Sequence, residues 1–145
     1  MLPSHPPSFR IRVLRLFDAH YRDDTVPLIL EMWSNEPAVV VKRHAMEILL
    51  ERDRAAGLRL ILAKGLTDLR AGARVATCAA LGSEFSTEVT EALIGKLRED
   101  DSPWVRLQAL RSLLVPGREV TKQQILEASK SEKSANVLAL RDELL

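Results

Sequence analysis

Residues 100–114 read DDSPWVRLQALRSLL: an acidic turn, a Ser-Pro pair and then a helix with Val105, Ala109, Leu110 and Leu113 on one face. Ser102 followed by Pro103 is a helix start, because Pro is tolerated in the first turn, where its missing N–H has no partner to lose. The same pattern stands 32 residues earlier in residues 68–82, DLRAGARVATCAALG, and again in residues 36–50, EPAVVVKRHAMEILL. Laid over itself at that offset, the chain aligns without a gap. Ile29, Ile61, Leu93 and Ile125 form one column, Leu30, Leu62, Ile94 and Leu126 the next, and Leu49, Leu81, Leu113 and Leu145 a third. A fixed period near 30 residues points to stacked repeats, each a unit too small to bury its own apolar face.

Each unit reads as two antiparallel helices, A then B, with apolar residues at helical spacing. Helix A carries Val26, Ile29, Leu30 and Trp33, or Leu58, Ile61, Leu62 and Leu66; helix B carries Val41, Ala45, Met46 and Leu49. The expected helices span about 23–34 and 37–51, 54–66 and 69–82, 86–99 and 102–115, then 121–131 and 133–144. Ser34 with Pro37 and Thr121 with Gln124 are read as starts, the latter as a capping box. Gly82, and Pro116 with Gly117, are read as stops. Residues 8–20 match helix B alone, so the chain opens on half a repeat with Phe9, Val13, Leu14 and Phe17 in core columns; either it serves as the N-terminal cap, with Arg10, Arg12 and Arg15 facing outward, or something else covers it.

Composition fits this all-α reading. Three Phe, two Trp and one Tyr in 145 residues leave the core to Leu, Ile, Val and Ala, which is helix packing rather than sandwich filling. The formal net charge is +1, so no global field advertises nucleic acid or an anionic membrane. Cys78 is the one cysteine, which excludes an intrachain disulfide and suggests a reducing, cytoplasmic setting. The start MLPSHPPSF lacks the basic and apolar regions of a signal peptide, and no run of 18 apolar residues is present.

A second register runs through the turns. Glu36, Asp68, Asp100 and Glu132 share a column; six residues later stand Lys42, Arg74 and Arg106, with Arg10 in the matching place of the opening half-repeat. Acid and base form a ladder within or between units, read as exposed pairs worth about 0 to 1 kcal/mol each. With residues 100–114 as its best match, this pattern resembles the HEAT family, in particular the short bacterial HEAT-like units also found in phycobilisome lyases. Over roughly residues 9 to 145 the resemblance implies a single right-handed α-solenoid. Its parts would be a half-repeat at 8–22, full repeats at 23–53, 54–85 and 86–117, and a C-terminal capping repeat at 118–145. In that last unit Leu138 replaces the ladder base, Arg141 stands where Ala45, Thr77 and Ala109 stand earlier, and the polar run TKQQILEASKSEKSAN suits an exposed end.

Little points to chemistry. His5, His20 and His44 share no metal-ligand spacing, and the glycines form no phosphate cradle. Cys78 aligns with Met46, Leu110 and Leu14 and is expected as a buried apolar residue. No cofactor, metal or catalytic group is expected. HEAT-like folds include DNA-repair glycosylases, whose clustered aromatic and acidic site has no counterpart in this chain. Phycobilin lyases are larger, and nothing here marks a tetrapyrrole pocket.

Three features suit binding. The outward positions of helix B, which line the concave side in solenoids of this family, hold Arg12 and Arg15, His44 and Glu47, Ala76 and Ala79, Gln108 and Arg111. Gly72, Ala76, Ala79 and Ala80 leave a shallow trough fit for a partner helix or extended peptide. Trp104 shares a column with Val40 and Gly72 and is expected to protrude at the trough's edge as an interface anchor, whereas Trp33 is expected in the core. Arg10, Arg12, Arg15 and Arg22 against Asp18 give residues 1–22 a local charge of +3, which would suit nucleic acid phosphates. The expected function is a non-catalytic protein-interaction scaffold binding another protein or peptide on the helix B face. The alternative is a nucleic-acid-binding HEAT-like protein using the basic N-terminal helix.

Overall fold

A computed structural model describes residues 5–144; the expected core position Leu145 lies outside the described residues. Among those residues the chain is all-helical, with nine α-helices and no strand. It divides into two compact units, Met1–Lys64 and Gly65–Leu145.

In the first unit α1 (Pro7–Ala19), α2 (Thr25–Asn35), α3 (Val39–Arg52) and α4 (Arg54–Leu60) follow one another, and α3 packs against the other three. Leu14, Ile29, Trp33, Val41, Ala45, Met46 and Leu49 form its buried centre. Lys42 is buried too, its ammonium 4.1 Å from the centroid of the Trp33 ring, where the ring's negative face offsets part of its desolvation. Helix α4 stops short of the expected 54–66 span and turns into a π-helical segment, Ile61–Gly65. Gly57 allows α4 to sit on α3: a Cβ there would lie 2.9 Å from the Leu50 amide nitrogen.

The second unit holds α5 (Ala71–Ala80), which ends in a 3-10 turn Leu81–Ser83, then α6 (Thr87–Glu99), α7 (Pro103–Leu113), α8 (Lys122–Ala128) and α9 (Ala135–Asp142). Helix α7 packs against α5, α6 and α9, and α6 against α8. The columns expected in the core are there: Ile29, Ile61, Leu93 and Ile125 are buried, as are Leu49, Leu81 and Leu113, while Leu30, Leu62 and Leu126 are half-buried. The Thr121–Gln124 capping box forms, with the Gln124 amide donating to Thr121 Oγ1 at 3.1 Å and the Thr121 amide to Gln124 Oε1 at 2.8 Å. Ser102 is the N-cap before Pro103. Helix α8 ends earlier than 131, where the buried Ser129 hydroxyl donates back to the Ile125 carbonyl at 2.7 Å.

Four expectations need correction. Ser34 lies inside the last turn of α2 rather than starting a helix, and the N-cap of α3 is Ala38. The Glu36 carboxylate accepts from the amide of the N-cap residue itself, Ala38, at 2.8 Å. Phe9 is exposed, its ring stacked on that of His5 at 4.6 Å, and Val13 and Phe17 are only half-buried. Arg10 does not face outward; it is buried against Glu36. The ladder, finally, is not a set of exposed pairs.

Three rungs are described, each joining an arginine to the acid 26 residues further on through two parallel N–H···O bonds. Arg10 meets Glu36 at 2.8 and 2.7 Å, Arg74 meets Asp100 at 3.0 and 3.2 Å, and Arg106 meets Glu132 at 2.8 and 3.0 Å. The three carboxylates are only 2–3% exposed. Each also accepts from the backbone amide two residues on, of Ala38, Ser102 or Ser134. Arg74 and Arg106 further donate 2.8 Å bonds to the carbonyls of Asp68 and Asp100, and Arg10 to that of His5. One guanidinium thus ties the turn before its own helix to the acid of a later turn, the bidentate geometry a lysine cannot supply. Burial alone would raise the carboxyl groups of Asp100 and Glu132. The hydrogen bonds from Arg74 and Ser102, and from Arg106, Ser134 and Lys133, outweigh it and hold both below the ordinary range.

Candidate partner-binding site

In the second unit the C-terminal halves of α5 and α7 leave an open depression of about 510 Å³. Its lining is Ala79 from α5, Gln108, Arg111 and Ser112 from α7, and Gly82, Ser83, Phe85 and Val115 from the segments that follow the two helices. Ala79, Gln108 and Arg111 are brought together, whereas Gly72, Ala76 and Ala80, expected to form the trough with Ala79, do not line the depression. Ala76 is not part of the surface: it is only 7% exposed, its short methyl covered by its surroundings. Trp104 stands 63% exposed on the first turn of α7 and does not line the depression.

The polar groups around the depression are held in place. Gln108 Nε2 donates to Ser112 Oγ at 3.3 Å, and that hydroxyl donates to the Cys78 carbonyl at 2.7 Å. Arg111 is exposed. Behind Phe85 lies Arg118, buried, its guanidinium carbon 5.1 Å from the ring centroid. It donates to the carbonyls of Leu81, Gly82, Glu84 and Ser112 and to Thr90 Oγ1, at 2.9 to 3.3 Å. Burial pushes this guanidinium's pKa down, against the upward pull of the Glu84 charge. Gly117, at φ 97°, makes the left-handed turn that lets Arg118 reach in, and a Cβ on it would come within 3.1 Å of the Phe85 ring.

The period of 32 hides Phe85 and Arg118. Both sit in connecting segments, and the column of Arg118 holds Arg22, Arg54 and Ser86, a mixture that signals nothing. The exposed Phe85 could have been suspected only as an aromatic beside the Gly82 stop.

The remaining candidates lie in the first unit. Arg12, Arg15 and Glu47 are exposed and His44 is half-buried, with Glu47 3.7 Å from Arg43 and 4.0 Å from His44. Of the basic N-terminal set, Arg10 is consumed by Glu36 and Arg22 lies 4.0 Å from Asp24. The outward positive side chains there are therefore Arg12, Arg15 and Arg22, one fewer than the sequence suggested.

Cys78 is fully buried and its thiol is pushed up to about 12, chiefly by burial. Among the described residues no group of three or more His, Cys, Asp or Glu could hold a metal ion, and no helix is long and apolar enough to cross a membrane. Compared with protein-family models, curated proteins and solved structures, the chain has no significant match.

Proposed function

We propose that the chain is a short HEAT-like right-handed α-solenoid of about four 32-residue repeats behind an N-terminal half-repeat, serving as a protein-interaction module without catalysis of its own. Its partner, another protein or peptide, docks on the outward, concave surface of the B helices. Buried apolar columns at a spacing of 32, and bidentate rungs that each join residues 26 apart and start at positions separated by multiples of 32, support the repeat reading. The functional reading is carried by one observation: an open depression in which Ala79, Gln108 and Arg111 meet the exposed Phe85. Aromatic and arginine side chains beside a recess are the groups that dominate interface energetics. A reducing cytoplasm suits the free, buried Cys78.

The test is affinity capture from the native host with three forms of the chain. Ala79→Glu with Arg111→Glu puts two acids at the depression on exposed positions, so it should fold normally and lose the partner. Glu91→Lys, exposed on α6 and outside the depression, should keep it. Retention by the double variant together with loss in Glu91→Lys would move the working surface to the A helices and overturn the reading.

A further inference from the structure

Resting on that reading, we infer that the depression between α5 and α7 takes an extended acidic peptide segment, with a carboxylate on Arg111 and an aliphatic or aromatic side chain within about two residues of it in the recess. The sign of the charge follows from the lining. Arg111 is its one ionised side chain, and no carboxylate lines it. The C-terminal ends of α5 and α7 would by themselves favour a cation here, since a helix ends with about half a negative charge. Arg118 answers them by donating to the carbonyls of Leu81, Gly82 and Ser112. Arg118 and Glu84 are both buried and opposite in sign, so Arg111 sets what an arriving segment meets.

The shape follows from the spacing. Ala79, Phe85 and Val115 give the recess an apolar wall. Trp104 lies seven residues before Arg111 on α7, about 10 Å at the helical rise, and positions 104, 108 and 111 fall on one side of that helix. An extended chain covers this distance in about three residues. The segment that fits has an apolar residue against Trp104, an acid about three positions away over Arg111, and a second apolar residue just beyond it in the recess.

The experiment is selection from a random dodecapeptide phage library against the full chain, counter-selected on Ala79→Glu. Expected are sequences with Asp or Glu within about two residues of a large apolar residue. Made synthetically, the best of them should lose about fivefold in affinity on Arg111→Ala, the most an exposed ion pair ordinarily contributes, more on Arg111→Glu, and little on Arg111→Lys. Replacing the peptide's acid by Lys should recover binding to the Arg111→Glu chain. Neutral or basic winners, or winners indifferent to Arg111→Glu, would overturn the charge inference and leave the module reading standing. A selection yielding nothing that Ala79→Glu removes would overturn the docking site itself. Unchanged thermal melting of each variant by circular dichroism separates these results from misfolding.

Discussion

The Asp100→Asn substitution separates a buried rung from a surface ion pair. Asp100 accepts from Arg74 at 3.0 and 3.2 Å and from the Ser102 amide at 3.0 Å, with Lys96 Nζ 3.4 Å away. Its side chain is 2% exposed and that of Arg74 is 11% exposed. The amide is nearly isosteric, so packing is kept and the negative charge is removed. Deleting one member of a buried pair costs about 3 to 5 kcal/mol, since the other charge stays desolvated. Arg74 keeps Asp101 at 2.9 Å and the carbonyl of Asp68 at 2.8 Å, which places the expected loss near the low end, about 3 kcal/mol. At about 2 to 4 °C per kcal/mol for a chain of this size, the melting midpoint should fall by about 6 to 12 °C. Asp18→Asn, which breaks the exposed contact with Arg52 at 2.8 Å, is the comparison and should shift it far less. The pH dependence has a defined sign. The folded carboxyls of Asp100 and Glu132 are held below the ordinary range, so their contribution is complete above about pH 5, clear of the unfolded values, and is lost as pH falls through the folded values. Asp100→Asn should therefore flatten the acid limb of the stability curve. Equal midpoint shifts for Asp100→Asn and Asp18→Asn would refute the argument that burial makes the rungs matter.

Three further outcomes follow from the same geometry. Cys78, buried and with its thiol raised to about 12, should react with a thiol reagent at pH 8 only as the protein unfolds; rapid labelling of the native chain would contradict its burial. Gly57→Ala gains about 1 kcal/mol of helix propensity but sets a Cβ 2.9 Å from backbone, an overpacking cost of about 1 to 3 kcal/mol. Urea denaturation should thus show a net loss of stability, and a gain would mean that α3 and α4 separate freely. Arg118→Lys keeps the charge but cannot span the five acceptors of the native side chain. It should cost at least about 3 kcal/mol, whereas an unchanged denaturation midpoint would show that water serves those acceptors as well.

The helices were legible because aliphatic columns and caps are local chemistry. Ile29, Ile61, Leu93 and Ile125 could be aligned without knowing what they touch, and Thr121 with Gln124 announces a capping box. The rungs were half legible. The spacing of six between Asp68 and Arg74 shows in the sequence, but the operative partner of Arg74 is Asp100, and only the packing of α5 on α7 reveals that pairing and its burial. The π turn at Ile61–Gly65 has no residue signature. At the site, Ala79, Gln108 and Arg111 could be read as outward positions of one register, while Ala76 shows the limit of that reading: a column sets direction, not whether a neighbour covers a side chain as short as alanine. Phe85 and Arg118 lie in connections where no period operates, so nothing but the folded chain could join them to the depression.

The most direct measurement places a photo-crosslinking amino acid at position 79 in one form of the chain and at position 91 in another, expressed in the native host and irradiated. Both positions are exposed, so each form should fold. Expected is a discrete covalent adduct from position 79, abolished by Arg111→Glu, and none from position 91. An adduct from position 91 with none from position 79 would contradict the assignment of the partner to the helix B surface.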